Sequence, residues 1–254
     1  LDTKSEMGLL KAANSLTNSP SSPPMQHTWL GAHATPPAQE GDGRAEERRR
    51  SEYVAEILTE QLPAVLEQGI AQSVDVFCEP GWFTLEETED ICRAGADGGL
   101  QVRLHVDEFE DGGGAALAAE LGARTADHAA WSDSDGRASC ARAGTLQGFL
   151  PGTPHVLGSD HWPPIRECIE NSWPWTLASD FNPNCDSLSI PFTANLAVTN
   201  CGIDPVEALV GCTRNAASGM DHPDGLDTGM IRPGAAASLN ILPGSHVDGW
   251  CQNT

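Results

Sequence analysis

The feature that most constrains this chain is an alternation. Short apolar or β-branched runs recur at 27–34, 73–79, 100–109, 124–130, 145–151 and 175–183, each followed by a stretch of helical character. Between the runs, 52–67 carries apolar residues at Val54, Ile57, Leu58, Leu62, Val65 and Leu66, a spacing that predicts an amphipathic helix. The segment 84–95 opens with Thr84 and Glu87 in the pattern of a capping box. A third helix is expected over 114–121, rich in Ala and closed by Gly122. Strand followed by helix, repeated in one direction, implies a parallel sheet with helical crossovers.

Polar and charged residues crowd the last positions of the predicted strands: His33, Glu79, His105, Glu108, His128 and Asp180. Strand ends form the active face of a (β/α)8 barrel, but a doubly wound open sheet uses them too, so the alternation leaves both open. Two stretches read as solvated loops, 14–24 with its Ser, Asn and Pro, and the charged 39–50. The segment 229–242 reads as a turn and a strand outside the main sheet.

Charge excludes one class of function. With 36 acidic against 14 basic residues, a net charge of −22, the chain has no basic face for nucleic acid and should avoid anionic membranes. Arg occupies twelve of the basic positions and Lys only two, Lys4 and Lys11. An acid-rich, Lys-poor surface suits strong salt, where self-repulsion is screened, although an ordinary acidic enzyme has the same balance. The eight cysteines include no C-x-x-C pair and are expected to be reduced, buried thiols. No apolar run approaches the ~20 residues of a membrane span.

Candidate chemistry follows from the strand ends. His105 and Glu108 offer an imidazole for a divalent metal and a carboxylate to move protons. His128, one strand–helix unit later, would orient water or stabilise an oxyanion. Asp180 ends an apolar strand, where a carboxylate serves as a metal ligand or as a turn residue. His33 is equally suited to substrate or metal. Each of these residues also has a purely structural reading, as a packed imidazole or an Asx turn. No P-loop and no G-x-S-x-G elbow occurs.

The segments LGAHATPP, DVFCEPGWFT, HVDEFEDGGGAALAAELGARTADH, FLPGT, PPIRE, LASDFNP and EALVGCTRNAA, in that order, resemble the imidazolonepropionase family of the metal-dependent amidohydrolases. The resemblance runs from about Thr3 to Leu242. It implies a distorted (β/α)8 barrel with a small accessory β-sandwich, one zinc or iron ion, and a cytoplasmic homodimer. The implied reaction is hydrolysis of 4-imidazolone-5-propanoate to N-formimidoyl-L-glutamate. By resemblance, His105 and Asp180 are metal ligands, Asp180 also partnering the attacking water. Glu108 is the acid–base residue and His128 activates or orients the water. His33, Glu108, Asn182 and Asn184 face the substrate.

The chain also departs from the family pattern. The family's His-x-His on the first barrel strand, which supplies two further metal ligands, occurs nowhere in this chain. The chain is expected to begin on the second barrel strand, at 1–9, and so to lack the first. The expected division is an incomplete barrel over 1–225 and a piece of the accessory sandwich over 226–254. Met7 stands where the family has a substrate-contacting tyrosine, and Asn184 where it has a glycine. Two alternatives follow: a related hydrolase of another cyclic amide or amidine, or an inactive, metal-free fragment.

Overall fold

The computed structural model describes residues 2–17, 22–38, 42–222, 224–242 and 246–252. Six strands form one sheet: β1 (Thr28–Ala32), β2 (Ser73–Cys78), β3 (Gln101–Val106), β4 (Thr125–His128), β5 (Leu146–Phe149) and β6 (Trp175–Leu177). Each lies inside one of the six runs read from the sequence. Every pairing is parallel and the spatial order is the chain order, β1 through β6. A doubly wound sheet reverses its order at a switch point, and a barrel wall does not. The sheet is therefore a barrel wall of six strands, with β1 and β6 as its edges among the described residues.

The helices are crossovers. After β1 come α2 (Glu46–Glu56), a π-turn over Ile57–Gln61 and α3 (Leu62–Gln68), which run on continuously and end at Gly69 in the left-handed region. Helix α4 (Leu85–Asp97) starts with the capping box, the Thr84 hydroxyl accepting from the Glu87 N–H and the Glu87 carboxylate accepting from the Thr84 N–H. Helices α5 (Gly114–Glu120) and α6 (Ser134–Ala143) follow β3 and β4. Short helices α7 (Gly152–Leu157) and α8 (Ile165–Glu170) fill the β5–β6 crossover. After β6 come α9 (Ile190–Asn200) and α10 (Pro205–Val210), the latter also held by a capping box, Asp204 with Glu207.

Alternation along the strands separates two environments. Val74, Val76, Leu104, Val106 and Ala126 are fully buried in the hydrophobic core with Ile57, Val65 and Ile91 of the helices. Their strand neighbours Asp75, Phe77, Arg103, His105, Thr125 and Asp127 lie on the other face, paired across the sheet as Asp75–Arg103–Thr125 and Phe77–His105–Asp127. That second face is the concave one. The same registers put Gly148 beside Asp127, where a Cβ would stand 2.0 Å from the Asp127 Oδ1. Only glycine leaves that carboxylate its room.

Two sequence expectations fall differently. Residues expected to form a strand at 1–9 instead start helix α1 (Thr3–Thr17), residue 1 lying outside the described residues. Asp2 accepts the N–H of Ser5 at 2.8 Å, closing the first turn. No β-branched residue occurs between Thr3 and Thr17, while Lys, Glu, Met, Leu and Ala recur there. Glu6 and Leu10, one turn apart, supply the buried side. The 229–242 segment is irregular, with no strand. A strand needs a partner for its backbone, and this segment pairs with none of the six described strands.

All eight cysteines are free thiols; seven are buried and Cys212 is half-buried. All but Cys185 belong to the core or pack against it, from Cys78 on β2 to Cys251 near the C-terminus.

Candidate active site

A one-residue irregularity in β1 sets the first site residue. Trp29 pairs with Val74 but Ala32 pairs with Val76, so one extra residue sits between them. An unbroken register would have set Ala32 opposite Phe77. The bulge advances the chain by one and turns His33 to the concave face. There its ring stacks on Phe77, with centroids 5.9 Å apart, and meets His105 edge-on at 4.7 Å.

Asp75, in the middle of β2 and 3% exposed, holds both imidazoles. Its Oδ1 lies 2.8 Å from His105 Nδ1 and 3.2 Å from His33 Nε2. Burial opposes its charge, yet the two imidazoles keep its carboxyl well below the usual range. Burial also works against a charged His105. The Asp75 carboxylate, helped by Asp127 and Asp180, outweighs it and lifts that imidazole to about 9. His33, Asp75 and His105 each offer a ligand atom within 4.8 Å of the others. Two imidazoles and a carboxylate are a donor set that suits zinc or ferrous iron.

Glu108 and His128 stand next to this group. By register His128 pairs with Val106 and would face the helices. Left-handed backbone at His128 (φ 70°) and Ala129 (φ 45°) breaks the alternation, and the ring lies 5.2 Å from that of His105. Burial, reinforced by the charge of His105, holds His128 neutral, well below the ordinary imidazole range. Its Nε2 is 3.4 Å from Glu108 Oε2. Burial pushes the Glu108 carboxyl up to about 7, with Asp180 adding to the effect. A buried carboxyl that titrates near neutrality is the property a general acid–base requires.

Two further carboxylates fix the loop that carries Glu108. Glu79 accepts the backbone N–H groups of Glu108 (2.9 Å), Phe109 (2.8 Å) and Glu110 (3.1 Å). Asp107 is fully buried at φ 49° and accepts from the N–H groups of Gly112, Gly114 and Ala115 and from the Ser132 hydroxyl. It thereby ties the end of β3 to the start of α5 and to the loop after β4.

The sequence-predicted residues divide into two sets. His33, His105, Glu108 and His128 come together at the strand ends. Asp180 shares a cavity of 340 Å³ with His105, Arg103 and Asp127 but lies outside the His33–Asp75–His105 group. It accepts a hydrogen bond from the Thr153 hydroxyl and has a left-handed backbone, φ 56°. Asn182 spends its side chain on its own turn, donating to the Asp180 carbonyl at 2.8 Å and accepting from the N–H groups of Asn184 and Cys185. Asn184 is exposed. The sequence reading missed Asp75 and Asp127. The signal was there: each is a carboxylate inside an apolar strand, SVDVFC and TADH.

No protein-family model matches the chain. Among curated proteins it is similar to the imidazolonepropionase of Shewanella pealeana, 37% identical over 240 residues, covering 94% of this chain and 57% of the relative. It is also similar to that of Haloarcula marismortui, 36% identical over 248 residues, covering 97% of this chain and 56% of the relative. The chain thus spans little more than half the length of the curated relatives it matches. Among solved structures it resembles Aspergillus niger ochratoxinase (TM-score 0.66, 18% identity, 98% of this chain and 66% of that one). It also resembles a Xanthomonas campestris adenosine deaminase with bound zinc (TM-score 0.55, 16% identity, 84% and 51%). At these identities the structural likeness shows the fold alone, a TIM-like α/β barrel.

Proposed function

We propose that this chain, a relative of the imidazolonepropionases, carries the catalytic strand ends of a metal-assisted hydrolase that opens the cyclic amide of 4-imidazolone-5-propanoate to N-formimidoyl-L-glutamate. The observation that carries this reading is the convergence of His105, Glu108 and His128 at successive strand ends, within the segments that resemble that family. His33, Asp75 and His105 would hold one zinc or iron ion, with Asp180 facing the same cavity as His105. When bound, such an ion supplies Lewis-acid polarisation of water and of the ring carbonyl.

The chain's own groups account for the proton movements. Glu108, balanced between its two forms near pH 7, takes a proton from the attacking water and returns it to the ring nitrogen as the C–N bond opens. Neutral His128, 3.4 Å from Glu108, is placed to accept a hydrogen bond from that water and orient it. Asp75 fixes His105 through Nδ1, which leaves Nε2 as the nitrogen free to ligate. We further propose that 1–225 is the barrel unit and 226–254 belongs to an accessory unit. The working assembly is a cytoplasmic homodimer. No helix among the described residues is long and apolar enough to cross a membrane.

The test is hydrolysis of 4-imidazolone-5-propanoate by the 254-residue chain loaded with zinc or ferrous iron, read by mass spectrometry of the product. Metal-dependent formation of N-formimidoyl-L-glutamate, lost in Glu108→Gln, supports the reading. A metal-loaded chain that leaves the substrate intact overturns it.

A further inference from the structure

The last described residues, 246–252, pair with no strand and pack against helix α10. Their one regular turn, Val247–Gly249, contacts α10, and the Trp250 indole N–H donates to the Pro205 carbonyl at 2.7 Å. The next residue, Cys251, is fully buried and belongs to the hydrophobic core. Helix α10 runs without a break into a π-helical stretch, Gly211–Asn215, which carries Cys212.

Spacing puts this second thiol on the covered side of the helix. Pro205, Ala208 and Cys212 stand three and then four residues apart, so they share one stripe of it. Trp250 is bonded at the start of that stripe and Ala208, in its middle, is fully buried. Cys212 closes the stripe, half-buried and packed against the same core that holds Cys251. Burial raises the Cys212 thiol to about 12, and Cys251 beside it adds to the effect. Cys92 likewise neighbours Cys78, and Cys168 neighbours Cys140. Those four sit on β2, α4, α6 and α8, and are reached only by opening the barrel wall. The segment that carries Cys251 can lift with the sheet intact. Neither Cys212 nor Cys251 takes part in the proposed hydrolysis.

We propose that Cys212 and Cys251 form a redox pair, a modification site at which a low-molecular-weight disulfide converts the two thiols to an intramolecular disulfide that locks the C-terminal segment onto α10. Exchange starts when the segment lifts, because burial leaves little thiolate at either sulfur while it is closed. The Cys251 thiolate attacks one sulfur of the reagent, whose S–S bond breaks and releases one thiolate. On redocking, the Cys212 thiolate attacks the Cys251 sulfur of the mixed disulfide and displaces the second reagent thiolate. The protein thiols give up two electrons and two protons, and the reagent takes both and leaves as two free thiols.

The probe is oxidised glutathione, incubated with the 254-residue chain in the absence of denaturant. Remaining thiols are then trapped with N-ethylmaleimide, and the products are read by intact mass and non-reducing peptide mapping. The expected product is about 2 Da lighter than the reduced chain, with the Cys212 and Cys251 peptides joined. Cys212→Ser is expected to stop the reaction at a glutathione adduct on Cys251, and Cys251→Ser to leave no cross-link. Trp250→Ala removes the bond to Pro205 and is expected to shift the product about tenfold from cross-link toward adduct, as the local concentration of the two thiols falls. Unchanged circular dichroism verifies that the variants fold. In the cross-linked chain, hydrogen exchange over 246–252 should slow, and it should recover on reduction. Failure to form the Cys212–Cys251 linkage overturns the proposal, as does a linkage of either residue to another cysteine or one that forms only in urea. Exchange over 246–252 that ignores the cross-link overturns the lock.

Discussion

Replacing Asp107 tests how the loop that carries Glu108 is held. The side chain is fully buried and accepts three backbone N–H groups at 3.0–3.1 Å and one hydroxyl at 2.6 Å. Hydrogen bonds to a charged group are worth roughly 1.5–3 kcal/mol each, but they share one carboxylate and do not add in full. Alanine also gives up a residue type that tolerates the left-handed backbone at φ 49°, at a cost of roughly 1 kcal/mol. The desolvation cost of the buried charge is recovered. A net loss of about 4 kcal/mol is expected for Asp107→Ala, at the upper end for single substitutions. Asparagine keeps the Oδ1 that serves Gly112 and Gly114, accepts the backbone conformation, and fails only at the Ala115 N–H. About 2 kcal/mol is expected there. With a urea slope of about 3 kcal/mol/M, the unfolding midpoint falls by roughly 1.3 M for alanine and roughly 0.7 M for asparagine. The assay is urea unfolding followed by tryptophan fluorescence. An alanine variant that loses less than about 1 kcal/mol, or an asparagine variant as damaged as alanine, refutes the role assigned to this carboxylate.

Further outcomes follow from the site. Glu108 is raised to about 7, and in the proposed reaction it acts first as a base, so kcat/KM should climb as pH passes upward through that value. Glu108→Gln should lower kcat about 10²- to 10⁴-fold and flatten the limb, as stopped-flow pH profiles would show. In zinc titrations by calorimetry, His105→Ala and His33→Ala should abolish tight binding, and Asp75→Asn should weaken it at least ~10-fold. Wild-type affinity in all three would disconnect these residues from the metal. The net charge of −22 predicts that circular dichroism is retained in strong salt and lost on dialysis into dilute buffer. Retention in dilute buffer would refute a salt requirement.

The strands were legible because period-two patterning and flanking turn residues are local signals. All six sit where the runs in the sequence put them, and Thr84 and Glu87 marked the start of α4 to the residue. What sequence left open was barrel against doubly wound sheet, since strand order depends on pairings between segments tens of residues apart. The site followed the same division. His105, Glu108 and His128 were visible as polar strand ends, but how His128 reaches the site depends on two left-handed residues that no spacing rule encodes. His33 needed a bulge to face inward. Asp75 lies mid-strand between Val74 and Val76 rather than at a strand end, and a carboxylate in that apolar setting is its signal in the sequence. The resemblance assigns a strand to the α1 segment, while its Lys, Glu, Met, Leu and Ala content favours the helix that forms.

The free thiols give the molecule a built-in record of its own opening. Burial pushes Cys78 up to about 11 and Cys140, Cys168, Cys201 and Cys212 up to about 12. Alkylating agents and oxidants attack the thiolate, which these sites scarcely populate while closed. Each of the seven buried thiols becomes reactive only when its own neighbourhood opens, and the seven are distributed from β2 to the C-terminal segment. A pulse of alkylating reagent followed by mass spectrometry would therefore resolve which strands and helices part first. The same arrangement ties chemical ageing to unfolding: in oxidising conditions the chain is damaged at the rate at which it opens.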